Sequence, residues 1–346
     1  MTDIRDLTRP ELETELAVLG EPGFRAGQIF AWLYAKGAQS FDDFTDLPKT
    51  LRRELAGRFL LRPLEIDGFL RGEDGTEKYV FRLSDGTGVE TVLVPAGARR
   101  TLCLSTQAGC KFACAFCASG RHGFKRDLAP SEIVGQVLDL RSALDAALTN
   151  IVFMGMGEPL DNFDNVVRAV KILNDPKGLG VAARRMTVST SGVVPGIVRF
   201  REVGLQVNLS LSVHAADDRL RSRLMPINRK YPLADVMSAC EDYLAEGGRK
   251  ITFEYVLLDG VNDRPADADG LARLARRLRA KVNLIPYSPV EGFSFRTPPP
   301  ERIQAFVRRL EEKGAAVTLR QSKGKDIRAA CGQLTLAGLP ERAASS

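Results

Sequence analysis

Apolar positions along this chain change their period twice. Through the first seventy residues they recur at helical spacing: ELETELAVLG, then FRAGQIFAWLYAKG with Phe24, Ile29, Phe30, Leu33 and Tyr34 near one face, then LPKTLRRELAGRF with Pro48 at a helix start. These segments predict a small helical unit, with Trp32, the single tryptophan, in its core. From 77 to 105 the period falls to two, and EKYVFRL, the turn SDGTG, VETVLVP and RTLCLS read as β-strands joined by at least one hairpin. Strand-like runs then follow at 150–154, 186–190, 206–214, 250–258, 282–287 and 316–320, separated by helical stretches such as PSEIVGQVLDLRSAL and ADADGLARLARRLRA. Repeated βα units predict a parallel sheet. With RTLCLS as first strand there are six or seven units, fewer than the eight of a closed barrel, so the expected fold is α/β, a partial (βα)6-type TIM-like barrel. The implied divisions are a helical accessory unit over 1–75, a β-hairpin extension over 76–95, the barrel over 96–324 and a C-terminal segment over 325–346, with LPERAASS frayed. In such a fold the active site gathers at the C-terminal ends of the strands.

The charged start MTDIRDLTRPELETEL and the lack of any long apolar run predict a soluble cytoplasmic protein with no membrane association. Of six cysteines three are clustered, which disfavours a secreted disulfide framework and favours thiol chemistry or metal binding in a reducing compartment. The net charge of +6 suggests a polyanionic partner. Residues 1–60 carry 8 Lys/Arg against 10 Asp/Glu, so the basic surface lies beyond them, with dense stretches at 219–231, 276–281 and 322–328.

The cluster is GCKFACAFCASG, in which Cys110, Cys114 and Cys117 follow the pattern Cys-x-x-x-Cys-x-x-Cys, in the loop after RTLCLSTQ. A structural zinc site wants four closing ligands, yet no second Cys-x-x-Cys or His pair follows, and His122 is a lone histidine nearby. Three thiolates on a cubane iron–sulfur cluster leave one iron open to an external ligand, which is a catalytic arrangement. After the next strand, GMGEP sets Gly155, Gly157 and Glu158 where backbone can approach a ligand closely and a carboxylate can accept from an ammonium group. Ser189, Ser212, His214 and Asn283 close other strands of the series, although Ser and Asn also end strands and cap helices for structural reasons alone.

The cysteine spacing, with Phe116 before the third cysteine, resembles the radical S-adenosylmethionine (SAM) superfamily. Longer stretches, among them GCKFACAFCASGRHGFKRDLAPSEIVGQV, MGMGEPLDNFDNV, RRMTVSTSGVVPGI, RSRLMPINRKY and SKGKDIRAACGQL, together resemble the RlmN family of RNA adenine-C2 methyltransferases from about residue 20 to 335. The resemblance implies a radical SAM barrel with a 4Fe-4S cluster on Cys110, Cys114 and Cys117, and SAM, two per turnover, held by Gly157, Glu158, Ser189, Ser212, Val213, His214 and Asn283. It further implies that Cys331 carries the methyl group, Cys103 resolves the adduct through a disulfide and Glu90 is the acid/base residue. The implied partners are 23S rRNA, tRNA and an electron donor such as flavodoxin, with the protein acting as a monomer.

Plainer readings stand beside these. Cys103 on a strand is also a small buried hydrophobe, Glu90 also a solvent-facing strand glutamate, and Cys331 an exposed thiol, while Cys240 at helical spacing is core. Ala-Ser-Gly after the third cysteine and Ser288-Pro289 depart from common family residues without touching a residue given a role. The enzymatic alternative is a Cfr-like methylation of carbon 8 of the same adenine, against which Gly123-Phe124 and the accessory unit weigh. An alternative of another class is a noncatalytic iron–sulfur or zinc RNA-binding protein, which would leave GMGEP and Cys331 without a purpose.

Overall fold

The computed structural model describes residues 1–121, 123–141 and 148–336. His122 and the frayed end expected at LPERAASS lie outside the described residues.

The N-terminal unit is built from helices α1 (Arg9–Val18), α2 (Phe24–Phe30) and α3 (Lys49–Arg58). Thr8 and Glu11 form a capping box with Pro10 in the first turn, so α1 starts where the sequence signals it. Helix α2 runs on through a π-type turn, Ala31–Lys36, which stops at Gly37 in the left-handed region. Ile29, Phe30, Leu33 and Tyr34 are buried as their spacing predicts, but Phe24 is 64% exposed at the helix start. Trp32 is not fully internal. It covers the edge of this core by stacking on Phe44, its Nε1–H donates to Asp46 Oδ1 at 2.5 Å, and Lys36 lies over its ring. The unit is fixed to the rest through buried Arg5, which bonds Asp3 and the Arg62 carbonyl, and through Ser131 N–H to Asp6 at 2.9 Å and Arg141 to the Tyr34 carbonyl at 2.8 Å.

A ten-stranded sheet follows. Its antiparallel edge comprises β1 (Glu65–Arg71), β2 (Glu77–Arg82) and β3 (Gly88–Ala96), and β3 pairs antiparallel with β4 (Arg99–Cys103). Strand β1 falls where the apolar pattern suggested helix. It is an edge strand with a register shift at Ile66/Gly68 and mostly half-buried positions, so its alternation is weak in the sequence. From β4 the chain climbs in order through α4 (Pro130–Arg141), β5 (Asn150–Phe153), α5 (Phe163–Asn174), β6 (Met186–Thr190), α6 (Val194–Phe200) and β7 (Asn208–Ser212). It continues through α7 (Asp218–Leu224), α8 (Leu233–Ala245), β8 (Ile251–Leu257), α9 (Pro265–Arg277), β9 (Lys281–Pro286), α10 (Pro300–Glu312) and β10 (Val317–Leu319). Strands β4 to β10 are parallel and adjacent in chain order, the partial barrel expected.

The parallel register sorts side chains onto two faces. Ile151, Phe153, Met186, Val188, Leu209 and Leu211 point outward into the main core beneath the helices, where each contributes about 2 kcal/mol by burial. Helix α9 shows how the helices answer: Ala268, Leu271, Ala272 and Ala275 repeat at helical spacing on its buried side, and Asp267 caps the Arg264 N–H at 3.0 Å. Facing inward are Cys103, paired with Val152, then Ser189 beside Ser210 and Thr252, then Ser212 beside Glu254, Asn283 and Thr318. The concave face is therefore polar, which a sheet interior tolerates only where something polar is to be held.

Candidate active site

The cysteine loop leaves the end of β4 and is pinched at its base by a small ribbon in which Gln107–Gly109 pairs antiparallel with Phe124–Asp127. Gly109 and Gly123 both have positive φ, and a Cβ on Gly109 would strike the Gly123 carbonyl, so the pinch requires glycine. Phe116 anchors the loop's centre: it is buried among Leu220, Leu224, Met225 and Ile227, and meets the His214 ring edge-on at 4.7 Å. That packing is the physical reason for an aromatic residue before the third cysteine. Ala115 N–H also bonds the Leu224 carbonyl at 2.8 Å.

Burial raises the thiols of Cys110, to about 12, and of Cys114 and Cys117, and Cys117 and Cys110 raise each other's neighbour Cys114 further, so the three converge. Among the described residues no three His, Cys, Asp or Glu side chains are close enough to hold a single metal ion. Three thiols in one loop are a donor set that fits a multi-iron cluster, whose thiolates bind separate irons.

Behind this loop, Gly155 and Gly157 pack against the end of β4. A Cβ at Gly155 would lie 2.7 Å from the Leu104 carbonyl oxygen, and one at Gly157, with φ at 96°, 2.5 Å from Gln107 Cβ. Glu158 is buried, its Oε1 accepting from Leu160 N–H at 3.1 Å and its Oε2 from Ser191 N–H at 2.7 Å. Burial raises its carboxyl and these donors oppose the rise. Ser189 Oγ donates to the Phe153 carbonyl at 2.9 Å, and Asn283 Nδ2 to Glu254 Oε1 at 3.1 Å. Ser189, Ser212 and Asn283 lie within strands on the concave face, while Val213 is buried and His214 sits in the loop beyond β7 with φ at 55°.

His214 Nδ1 accepts from Val256 N–H at 3.0 Å, which leaves Nε2 as its donor side. Burial, helped by the Arg221 guanidinium, lowers this imidazole to about 3. The unfolded chain, titrating near ~6.5, takes up the proton first, so stability present above that pH is lost as pH falls toward 3, at up to about 1.4 kcal/mol per pH unit. Denaturant unfolding followed from about pH 7 to about pH 5 is expected to show this decline and His214→Gln to flatten it. An unaltered slope in the variant would assign the acid loss to other groups.

Several residues that hold the site give no signal of their own in the sequence. Gln107 accepts from Glu158 N–H and donates to Asp127 and Asp161, tying the cysteine loop to GMGEP. Arg221, which the charge count placed in a basic surface stretch, is fully buried and donates to the carbonyls of Ser191, Ser212 and Val213 and to Asn228. Burial lowers it to about 10. It joins the loops after β6 and β7. Glu254 lies on the concave face of β8, its carboxyl raised by burial, and pairs with Arg320 at 4.0 Å.

Residues 322–336 form an irregular strap across the mouth. Ala118 N–H bonds the Gly332 carbonyl at 2.8 Å, Ser119 Oγ the Leu334 carbonyl at 2.9 Å, and Gln333 Nε2 the Pro289 carbonyl at 2.8 Å. Met156, Val92, Ala329 and Leu334 make a small apolar cluster against which Cys103 is packed, half-buried where the plain reading expected a buried small hydrophobe. Cys331 is exposed on the strap, one residue from the carbonyl that meets the cysteine loop. Burial raises the Cys103 thiol to about 12, and Cys331 adds to the rise. Although Cys331 is solvent-accessible, the dense protein surroundings on its inner side desolvate and raise its thiol, while Arg320 opposes the rise. The two thiols and Arg320 therefore share one neighbourhood. Glu90 is not solvent-facing: it is 0% exposed, on the same face as Val92 and Cys103 by the β2–β3–β4 register. Cys240 is buried on α8, as expected.

Two family models match the chain. The radical SAM superfamily matches residues 104–272, and the ribosomal RNA large subunit methyltransferase N-terminal domain matches residues 2–61. A dual-specificity RNA methyltransferase RlmN of Geobacter sulfurreducens is 49% identical over 334 residues, covering 96% of this chain and 92% of that protein. The chain belongs to the RlmN family. A probable dual-specificity RNA methyltransferase RlmN of Gemmatimonas aurantiaca is 47% identical over 99% of this chain and 96% of its own length. The crystal structure of a radical SAM methyltransferase from Sphaerobacter thermophilus superposes with a TM-score of 0.90 at 48% identity, over 96% of this chain and 99% of that one. Membership in a radical SAM family brings a 4Fe-4S cluster and SAM as cofactors, which the three cysteines and the polar concave face fit. No helix among the described residues is long and apolar enough to cross a membrane.

Proposed function

We propose that this RlmN-family enzyme methylates carbon 2 of adenine in RNA, in 23S rRNA near the peptidyl transferase centre and in tRNA beside the anticodon. The observation that carries the reading is that Cys103 lies under the strap bearing Cys331, both near Arg320, with Glu90 buried on the Cys103 face and the three-cysteine loop bonded to the same strap. Carbon 2 of adenine is electron-poor and has no lone pair to displace a sulfonium, so direct polar transfer fails and a carrier is needed. Bound by Cys110, Cys114 and Cys117, and by Gly157, Glu158, Ser189, Ser212, Val213, His214 and Asn283, the cluster and two SAM per turnover would supply a methyl group and a hydrogen-abstracting radical.

The chain's own residues do the rest. Cys331, as thiolate, forms a new bond to the methyl carbon while the sulfonium–methyl pair stays with the departing thioether. Once that methyl has lost a hydrogen atom, the Cys331 methylene adds to carbon 2. For the ring to regain its π system it loses one electron, which would return to the cluster left oxidised by the SAM cleavage, and the carbon-2 proton, which Glu90 accepts. The Cys103 thiolate then attacks Cys331 Sγ: a disulfide forms, the sulfur–methylene bond breaks, and its electron pair remains on carbon, which takes a proton to become the methyl. Arg320 stands where a thiolate on either cysteine would be favoured. An electron donor such as flavodoxin and action as a monomer belong to the same proposal.

Nucleoside mass spectrometry of rRNA and tRNA from cells with and without this protein tests it. The expected product is 2-methyladenosine in both RNAs. Finding 8-methyladenosine would move the enzyme to carbon-8 chemistry, and finding no change in either RNA would end the reading.

A further inference from the structure

The Glu90 carboxylate is fully buried, yet neither of its oxygens accepts a hydrogen bond within the described structure. Its one charged neighbour there is Lys78, itself 1% exposed, whose Nζ stands 3.0 Å from Oε1, off the hydrogen-bonding direction. The pairing is set by register. Lys78 lies opposite Val92 and Val80 opposite Glu90, so Lys78 and Glu90 are diagonal neighbours on the face that also bears Cys103. A buried carboxylate with no partner is costly, and the ammonium is what makes this one tolerable.

Lys78 has a second contact. Its Nζ reaches the carbonyl of Arg328, three residues before Cys331, at 3.5 Å. The turn leading into β2 clamps the same strap: Gly324 N–H bonds Asp74 Oδ2 and Glu73 N–H bonds Asp326 Oδ2, each at 2.9 Å. A Cβ on Gly324 would lie 2.7 Å from Thr76 Cγ2. The chain from 73 to 78 thus touches both the strap that carries one thiol and the carboxylate beside the other.

We propose that Lys78 is a positioning residue for Glu90: it holds the carboxylate, charged and with open lone pairs, on the Cys103 face while the strap bearing Cys331 is seated. The inference rests on the reading of Glu90 as the group that takes the carbon-2 proton. Lys78 itself takes no proton from RNA and touches no reacting atom. Its loss is expected to act at one step. Methyl uptake by Cys331 needs neither Glu90 nor Lys78, and addition to the base precedes proton removal, so both continue. Release of the RNA adduct slows.

The test uses the full-length, cluster-loaded enzyme with Lys78→Gln, Lys78→Arg and Glu90→Gln. Lys78→Gln removes the charge but keeps an N–H donor, on a side chain one bond shorter, on the side of Glu90 and the Arg328 carbonyl. Three quantities are read: methylated Cys331 by intact-protein mass spectrometry, covalent RNA adduct on denaturing gels, and the rate at which the adduct resolves. Lys78→Gln is expected to match wild type in Cys331 methylation, to accumulate adduct and to release it at least about tenfold more slowly, as Glu90→Gln does. Lys78→Arg, which keeps the charge, should recover most of the release rate, and a fold defect would not be rescued in this step-specific way. Release from Lys78→Gln at the wild-type rate, or equal loss of Cys331 methylation and release, would overturn the assignment. Glu90→Gln releasing at the wild-type rate would instead remove the acid/base reading on which it stands.

Discussion

Cys103→Ala is expected to leave the protein covalently joined to RNA. Cys103 lies on the inner face of β4, packed beneath the strap and in the same electrostatic neighbourhood as Cys331 and Arg320. Taking away its sulfur removes the nucleophile that the proposed mechanism uses to break the Cys331–methylene bond, but leaves the cysteine loop and the strap contacts of Ala118 and Ser119 in place. Methyl uptake and addition to adenine should proceed and then stop. Cys331→Ala has nothing to methylate and should form no adduct, and the double variant should behave like it. Denaturing gels of each variant after contact with cellular RNA, with and without ribonuclease, provide the measurement. A Cys103→Ala protein that runs free of RNA with full methylation activity would reduce Cys103 to a packed thiol.

Alanine at any one of Cys110, Cys114 or Cys117 is expected to abolish cluster binding and with it all SAM cleavage. Each thiolate holds a separate iron of such a cluster, so removing one leaves an iron without its protein ligand. The fold should survive, because Phe116 and the Ala115 and Ala118 backbone bonds anchor the loop independently of the sulfurs. The thermal midpoint of the cluster-free proteins should differ from cluster-free wild type by only a few degrees, the equivalent of about 1 kcal/mol or less. Iron and sulfide content, visible absorbance and 5′-deoxyadenosine formation in anaerobic preparations read the chemistry. A variant that still cleaves SAM would break the assignment of the three ligands.

What the sequence disclosed depended on periodicity and on covalent spacing. MTVST gives β6 to the residue, and SDGTG the hairpin between β2 and β3, because alternation and turn chemistry are local properties. The half-exposed edge strand β1 gave no such pattern. Among site residues, the three cysteines declare themselves by spacing and Ser189 and Ser212 by falling near strand ends, whereas Asn283, expected to close a strand, is the third residue of β9. Glu90 is different: in VETVLVP an outward glutamate and an inward one look alike, and only the strap and Lys78 make the inward one possible. Arg221 reads as one more cation in a basic stretch, because the three carbonyls that occupy it come from loops distant in the chain. Gln107 and Glu254 were silent for the same reason.

The strap has a consequence for how the enzyme is made. Neighbouring parallel strands are consecutive in the chain, so a polypeptide emerging from the ribosome can add each βα unit to the one before it. The strap contacts obey another schedule. Ser119 waits 215 residues for Leu334, Gly324 closes on Asp74 across 250, and Asp326 on Glu73 across 253. These closures carry the largest chain-entropy cost and come after the barrel exists. A nascent chain can therefore own the cysteine loop and the concave face while it still lacks Cys331, the thiol to which the proposed mechanism gives the role of carrier. On that mechanism, radical chemistry begun then would have no Cys331 to act on, and the order of synthesis would keep an unfinished enzyme from alkylating RNA.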